Sequence, residues 1–345
     1  MNVPTATLGD ELRTALSAAL DGLPSREAAR AVERLMANYR GRTPTDAPVL
    51  RDAADVAAYA AYRMPATFEA VRSALAAFRA RAGDWAPRVH VDLGGGTGAA
   101  TWAVADAWPD GDHRTTVLDW SQAALDLGRS LAAAAPHPAL RSAQWRRQGV
   151  GGAPEVPEAD LVTVSYLLGE LTEADRDALL RAVVPAARAV LVVEPGTPAG
   201  YARVLQARQA LVDAGFTVLA PCPHDAACPM AGNDWCHFAA RVARSSLHRQ
   251  VKGGTLGHED EKFSYVAAAR LPGRPAPSRV VRHPQIRKGQ VLLDLCTRDE
   301  GLRRVTVSKR QGATYRDARD AGWGDPWPPA QAPREPGGSD GPLQH

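Results

Sequence analysis

The stretch VHVDLGGGTGAATWAVADAW, residues 89–108, decides the fold. A short apolar run ends in Asp92-Leu93-Gly94-Gly95-Gly96-Thr97-Gly98 and gives way to an alanine-rich helical pattern. Glycines at a strand-to-helix turn let the backbone approach a ligand, and the helix start leaves N–H groups free to meet it. Outward from this stretch, strand-like and helical runs alternate. TTVLDW (115–120) precedes SQAALDLGRSLAAAA, and ADLVTVSYLLG (159–169) precedes TEADRDALLRAVVPAA. RAVLVVEPG (188–196) precedes a helix over 201–214, and FTVLAPC (216–222) closes the series. Strand–helix units of this length predict a mostly parallel sheet with helices on both faces.

The expected organisation is therefore an α/β Rossmann-like core over 85–240, with additions on both sides. Residues 1–84 read as an N-terminal helical region, with helical blocks over 5–40 and 52–82 and an interruption at Met64-Pro65. Residues 241–326 carry FSYVAAARL, SRVVRH, GQVLLDLCT and RRVTVSK, which alternate like antiparallel strands of a small C-terminal β appendage. The stretch 327–345 is rich in Pro and Gly and reads as a disordered tail. A mean hydropathy of −0.26 and the absence of a long apolar run point to a globular protein away from membranes. The N-terminus has neither a secretory pattern nor a basic presequence, so a bacterial cytoplasmic location is expected. A monomer is expected.

Four cysteines occur in 345 residues, and three of them fall in PCPHDAACPMAGNDWCH, residues 221–237. Cys222, Cys228 and Cys236 are joined much later by Cys296 in VLLDLCT. Four thiolates can saturate a tetrahedral zinc or hold one iron–sulfur cluster. Two disulfides are the other arithmetic possibility, disfavoured in an intracellular chain. His224 and His237 flank the set and read as neighbours of the ligands rather than ligands. Charge is unevenly spread. Residues 241–330 hold 18 Lys+Arg against 9 Asp+Glu, including all four lysines, whereas the remainder is net acidic. Such a segment suits a phosphate-backbone partner, with a merely solvated basic face as the alternative.

The glycine turn has G-x-G-x-G spacing behind an acid, which resembles motif I of class I S-adenosylmethionine methyltransferases. The resemblance implies a cofactor held by Asp92, Gly94, Gly96 and Gly98. Asp119, at the end of the next strand, can accept both ribose hydroxyls. No catalytic constellation is recognisable. The position of the usual Asn/Asp-Pro-Pro-aromatic run reads Ser165-Tyr166-Leu167-Leu168, and Glu170 and Glu194 are as readily structural as basic.

Several stretches together resemble one family, the methyltransferase-like small-ribosomal-subunit assembly proteins. They are VDLGGGTGAATWA, SYLLGEL, VVEPGTPAGY, CPHDAACPM, DWCHFAARV, HEDEKFSYV, LLDLCT and the closing WGD, spread over about residues 50–325. The resemblance implies a factor that binds the rRNA and proteins of the immature small subunit, with S-adenosylmethionine and a 4Fe-4S cluster on Cys222, Cys228, Cys236 and Cys296. Zinc is the alternative metal. An active rRNA methyltransferase and a small-molecule methyltransferase with structural zinc are the alternative functions. Candidates for rRNA contact are Arg244, Arg249, Lys252, Lys262, Arg282, Arg287, Lys288, Arg303, Arg304, Lys309 and Arg310. Trp235, Phe238 and Phe263 could stack on bases, but packing is expected of them.

Overall fold

The computed structural model describes residues 7–20, 25–40, 53–110, 112–152, 154–245, 249 and 256–329. Lys252 and most of the expected tail, residues 330–345, lie outside them. The chain divides into two compact units, 1–275 and 276–345.

The first unit begins with helices α1 (Leu8–Ala19), α2 (Ser25–Arg40) and α3 (Ala53–Ala82). The expected interruption at Met64-Pro65 does not occur, because α3 runs through Pro65. Burial of both flanks, Met64 at 3% exposure and Ala66 at 1%, holds the helix together across the missing N–H. The sheet then follows with β1 (Val89–Leu93), α4 (Ala99–Ala107), β2 (Arg114–Asp119), α5 (Gln122–Ala133), α6 (Pro138–Arg141), β3 (Gln144–Arg147) and β4 (Ala159–Ser165). After it come α7 (Glu173–Ala186), β5 (Ala187–Pro195), α8 (Pro198–Asp213), β6 (Thr217–Ala220), β7 (Phe238–Ala243) and β8 (His258–Ala269).

The strand order is β3-β2-β1-β4-β5-β8-β6, with β7 paired to β8. Strands β1 to β5 are mutually parallel and β8 runs antiparallel between β5 and β6. The order reverses between β1 and β4, so a ligand crevice opens at the carboxyl ends of these strands, where the glycine turn lies. Helix α4 buries every residue except Asp106, because α3 packs on it from outside. The Rossmann-like α/β core is as expected.

Its boundary differs from the sequence reading. Strand β8, expected in the appendage, lies inside the large sheet, and the division falls after Pro275 rather than 240. Seven consecutive buried residues, Phe263 to Ala269, explain the placement, since a strand covered on both faces belongs within a sheet.

The second unit is a five-stranded sheet, β10-β11-β9-β13 with β12 paired to β11. Its elements are β9 (Ser278–Val280), β10 (Gln285–Arg287), β11 (Gln290–Thr297), β12 (Gly301–Ser308), α9 (Ala313–Asp320) and β13 (Pro326–Trp327). Val280, Val291, Leu293, Leu295 and Val307 pack with Ala318 of α9 and Trp327 to form its core. Trp327, the expected start of the tail, is thus a buried strand residue.

Candidate functional site

Two strand ends build the crevice. After β1 the chain turns through Gly94, Gly96 and Gly98, all at positive φ. A Cβ at Gly94 would lie 2.7 Å from Leu167, and one at Gly98 would lie 2.6 Å from the Trp145 ring. Internal packing therefore accounts for both. Gly96 differs: its nearest neighbour would be Asp119 Oδ2 at 3.8 Å, so its face is open. Asp119 ends β2, and its Oδ2 accepts from the Gly96 amide (2.9 Å) while Oδ1 accepts from the Ser121 amide (2.8 Å). Burial pushes its carboxyl above the usual range, against those amide bonds. Trp120, beside it, is 45% exposed. Sequence reasoning passed over Trp120, although an aromatic directly after a strand-end acid was a usable signal.

Asp92 lies below the turn rather than in the crevice. It is fully buried and accepts hydrogen bonds from Thr101 (3.0 Å) and Thr163 (2.8 Å). Burial pushes its carboxyl up to about 6. Beneath it the His90 ring stands between Thr163 Oγ1 (2.9 Å) and Thr115 Oγ1 (3.2 Å), and burial holds its pKa down to about 3. Thr163 gives its proton to Asp92, so Nε2 of a neutral His90 donates to Thr163.

The far rim of the crevice is polar as well. Tyr166 follows β4 at φ +57 and donates to Glu261 Oε1 (2.9 Å) on β8. Arg63 of α3 bonds the same carboxylate (3.1 Å) and lies over the Tyr166 ring. Glu194, at 0% exposure, accepts from the Leu168 amide (2.9 Å) and from Arg203 Nε (2.6 Å). Glu194 is thereby a structural carboxylate, and Glu170 sits exposed on the turn after β4.

The cysteine segment of the first unit is fastened by both its backbone and its side chains. Arg208 of α8 donates to the carbonyls of His224 and Ala226 (2.8 Å each), and Asp225 accepts from the Val218 amide (2.8 Å). Trp235 Nε1 donates to the Gly196 carbonyl (3.0 Å), and Ser264 donates to that of Cys236 (2.7 Å). The Tyr201 hydroxyl donates to Cys228 Sγ at 3.0 Å. Burial, that bond and the nearness of Cys228, Cys236 and Cys222 raise its pKa. The hydroxyl thus ties α8 to the cysteine segment at Cys228. Cys296 belongs to the second unit, buried in β11 opposite Leu302 and Arg279. All four are thiols rather than halves of disulfides. Among the described residues no group of three or more His, Cys, Asp or Glu is spaced to hold a metal. Phe238 and Phe263 are buried against each other and Tyr265, which leaves no face for a base.

A family model described as mitochondrial small ribosomal subunit Rsm22 matches residues 53–328. The chain belongs to the Rsm22 family. It is 31% identical over 290 residues to the human mitochondrial ribosome assembly protein METTL17, covering 77% of this chain and 61% of that protein. It is 27% identical over 182 residues to the Rsm22-cox11 tandem protein 2, mitochondrial, of Schizosaccharomyces pombe, covering 40% and 24%. The chain thus spans less than two thirds of these relatives' length. Among solved structures, an O-methyltransferase family protein from Burkholderia thailandensis aligns with a TM-score of 0.41 and 15% identity, over 77% of this chain and 72% of the other. The expected bacterial cytoplasmic location is overturned by these matches. The family description and both relatives are mitochondrial, and the character of the first residues was no guide to compartment. No helix among the described residues is long and apolar enough to cross a membrane.

Proposed function

We propose that this chain is a small-ribosomal-subunit assembly factor that binds rRNA and carries S-adenosylmethionine as a ligand. The observation that carries the reading is the open face of Gly96 beside Asp119, in a chain of the Rsm22 family. Those residues fit the cofactor. Asp119 would take the ribose hydroxyls through its remaining lone pairs, the Gly96 backbone would lie under the ribose, and exposed Trp120 would flank the adenine. Gly94 and Gly98 would shape the turn, and Asp92 would hold it from below. The cofactor would supply an electrophilic methyl group. The first reading is a factor that does not depend on methyl transfer, because Glu194 is committed to Arg203 and Glu261 to Arg63 and Tyr166.

For the metal, the donor chemistry of the first unit fits: Cys222, Cys228 and Cys236 are soft thiol ligands, suited to a 4Fe-4S cluster or to zinc. A brown anaerobic preparation with four irons per chain would support the cluster; a colourless one with a single zinc would replace it. The functional test sediments the purified protein with immature small subunits and methyl-labelled S-adenosylmethionine. Co-sedimentation without label in the rRNA is the expected result. Labelled rRNA would make the chain an rRNA methyltransferase, and protein left at the top of the gradient would end the ribosomal reading.

A further inference from the structure

The second unit sorts its basic residues into two groups. Midway along the β11–β12 pair Arg304 makes two bonds to Asp294 (2.7 and 2.8 Å), and toward the β11–β12 turn Arg303 pairs with Glu300 (2.5 Å). At the end away from that turn the register sets Gln290 opposite Ser308, and the Lys309 amide donates to the Gly289 carbonyl at 2.8 Å. That bond joins the β10–β11 turn to the short helical turn after β12. Gly289, at φ +73, permits the tight turn. Four exposed cations are brought together there: Arg287, Lys288, Lys309 and Arg310. Residues 276–293 and 301–316 contain no acid, and among the described residues none of the four has a carboxylate partner.

Four cations held together without counter-charge repel one another and cost folding stability. A polyanion relieves that cost. An acidic protein surface would look for apolar anchors beside the charges, and the patch offers Ile286 alone, at 59% exposure. We infer that Arg287, Lys288, Lys309 and Arg310 form the RNA phosphate-backbone contact of this chain, and that Arg303 and Arg304 do not take part. The inference rests on the proposed rRNA binding and gives it a place.

The test measures binding of the full chain to a labelled RNA hairpin and to deproteinised small-subunit rRNA across a salt series. The double variant Lys288→Gln/Lys309→Gln should lose about tenfold in affinity at moderate salt, and its slope of log K against log salt should be shallower by about 1.5. Arg303→Gln/Arg304→Gln should keep the wild-type slope. Lys288→Arg/Lys309→Arg should restore it, which separates charge from folding. An unchanged slope in the lysine pair, or a larger loss in the arginine pair, overturns the placement while rRNA binding stands. Wild-type protein that binds neither RNA overturns both. Wild-type protein that binds intact subunits but not their bare rRNA puts a protein on the patch and also overturns the inference.

Discussion

The floor of the crevice is polar and buried and its rim is polar and, apart from Glu194, half-buried, yet they are satisfied by opposite means. Beneath the glycine turn, Asp92 is met by the hydroxyls of Thr101 and Thr163 and by the Thr101 amide, and His90 by the hydroxyls of Thr163 and Thr115. Above it, Glu194 and Glu261 are met by Arg203 and Arg63. Hydroxyls cannot neutralise a charge, so the floor is stable when Asp92 is protonated and His90 neutral. Guanidinium groups can, and on the rim Arg203 opposes the burial that raises the Glu194 carboxyl. The rim also joins segments distant in sequence, whereas the floor lies within three adjacent strands and the helix that follows the turn. One region gives the turn its shape; the other ties α3, the β4 end, α8 and β8 around it.

The largest effect should come from breaking the rim. Arg203→Ala leaves a carboxylate of 0% exposure facing the amides of Leu168 and Gly169 without its cation, and removing one partner of a buried pair costs about 3–5 kcal/mol. Urea denaturation should show a lower midpoint with an unchanged m-value. Burial already raises the Glu194 carboxyl, so protonation should relieve the variant and its deficit should shrink as pH falls. A deficit constant from pH 8 to pH 5 would mean that Arg203 serves the fold through packing instead.

The floor should show itself through pH. Asp92 binds a proton more readily folded than unfolded, with its pKa up from 3.8 to about 6, so its contribution to stability falls as pH rises through that window. His90 is the reverse, with its pKa down from 6.5 to about 3, and its contribution rises with pH over an overlapping window. Between about pH 4 and 6 the two cancel: on folding, in effect, a proton passes from the histidine to the aspartate. Asp92→Asn should therefore gain stability relative to wild type by about 1.4 kcal/mol per pH unit as pH rises there, and His90→Gln should lose it at a similar rate. Taking each variant against wild type removes the other titrating groups. Parallel stability curves would show that the floor does not change protonation on folding.

The same contrast explains what could be read in the sequence. The glycine turn, Asp119 and the strand–helix alternation were legible because each is a local pattern, set by periodicity over a few residues. Cysteine clustering was visible as spacing, but spacing does not say how near thiols come in a fold. Arg63 and Glu261 lie 198 positions apart, and neither carries a local mark of its partner. Strand β8 was misplaced for a related reason: pairing with β5 and β6 is a long-range choice. The clue was the unbroken apolar run after Lys262, which suits a strand buried on both faces better than an edge strand of an appendage. Nor did charge counting tell Arg303 and Arg304, tied to acids, from Lys288 and Lys309, which meet no acid among the described residues.

The smallest effect distinguishes a turn shaped for the fold from one left open for a ligand. An alanine at Gly98 meets the Trp145 ring at 2.6 Å and must also adopt φ +85, so both clash and strain fall on folding. An alanine at Gly96 meets nothing nearer than 3.8 Å and carries only the strain of φ +54, about 1 kcal/mol. Gly96→Ala should then remain folded with a slightly lower melting temperature, while its new methyl group occupies the face left open beside Asp119. Its deficit should appear in S-adenosylmethionine binding by calorimetry, as a loss larger than the stability change. Gly98→Ala should show the converse, with a melting temperature well below that of Gly96→Ala. Equal cofactor affinity in wild type and Gly96→Ala would mean that the open face is not where the ligand sits, and Asp119 would then be only the clasp that holds the turn through the Gly96 amide.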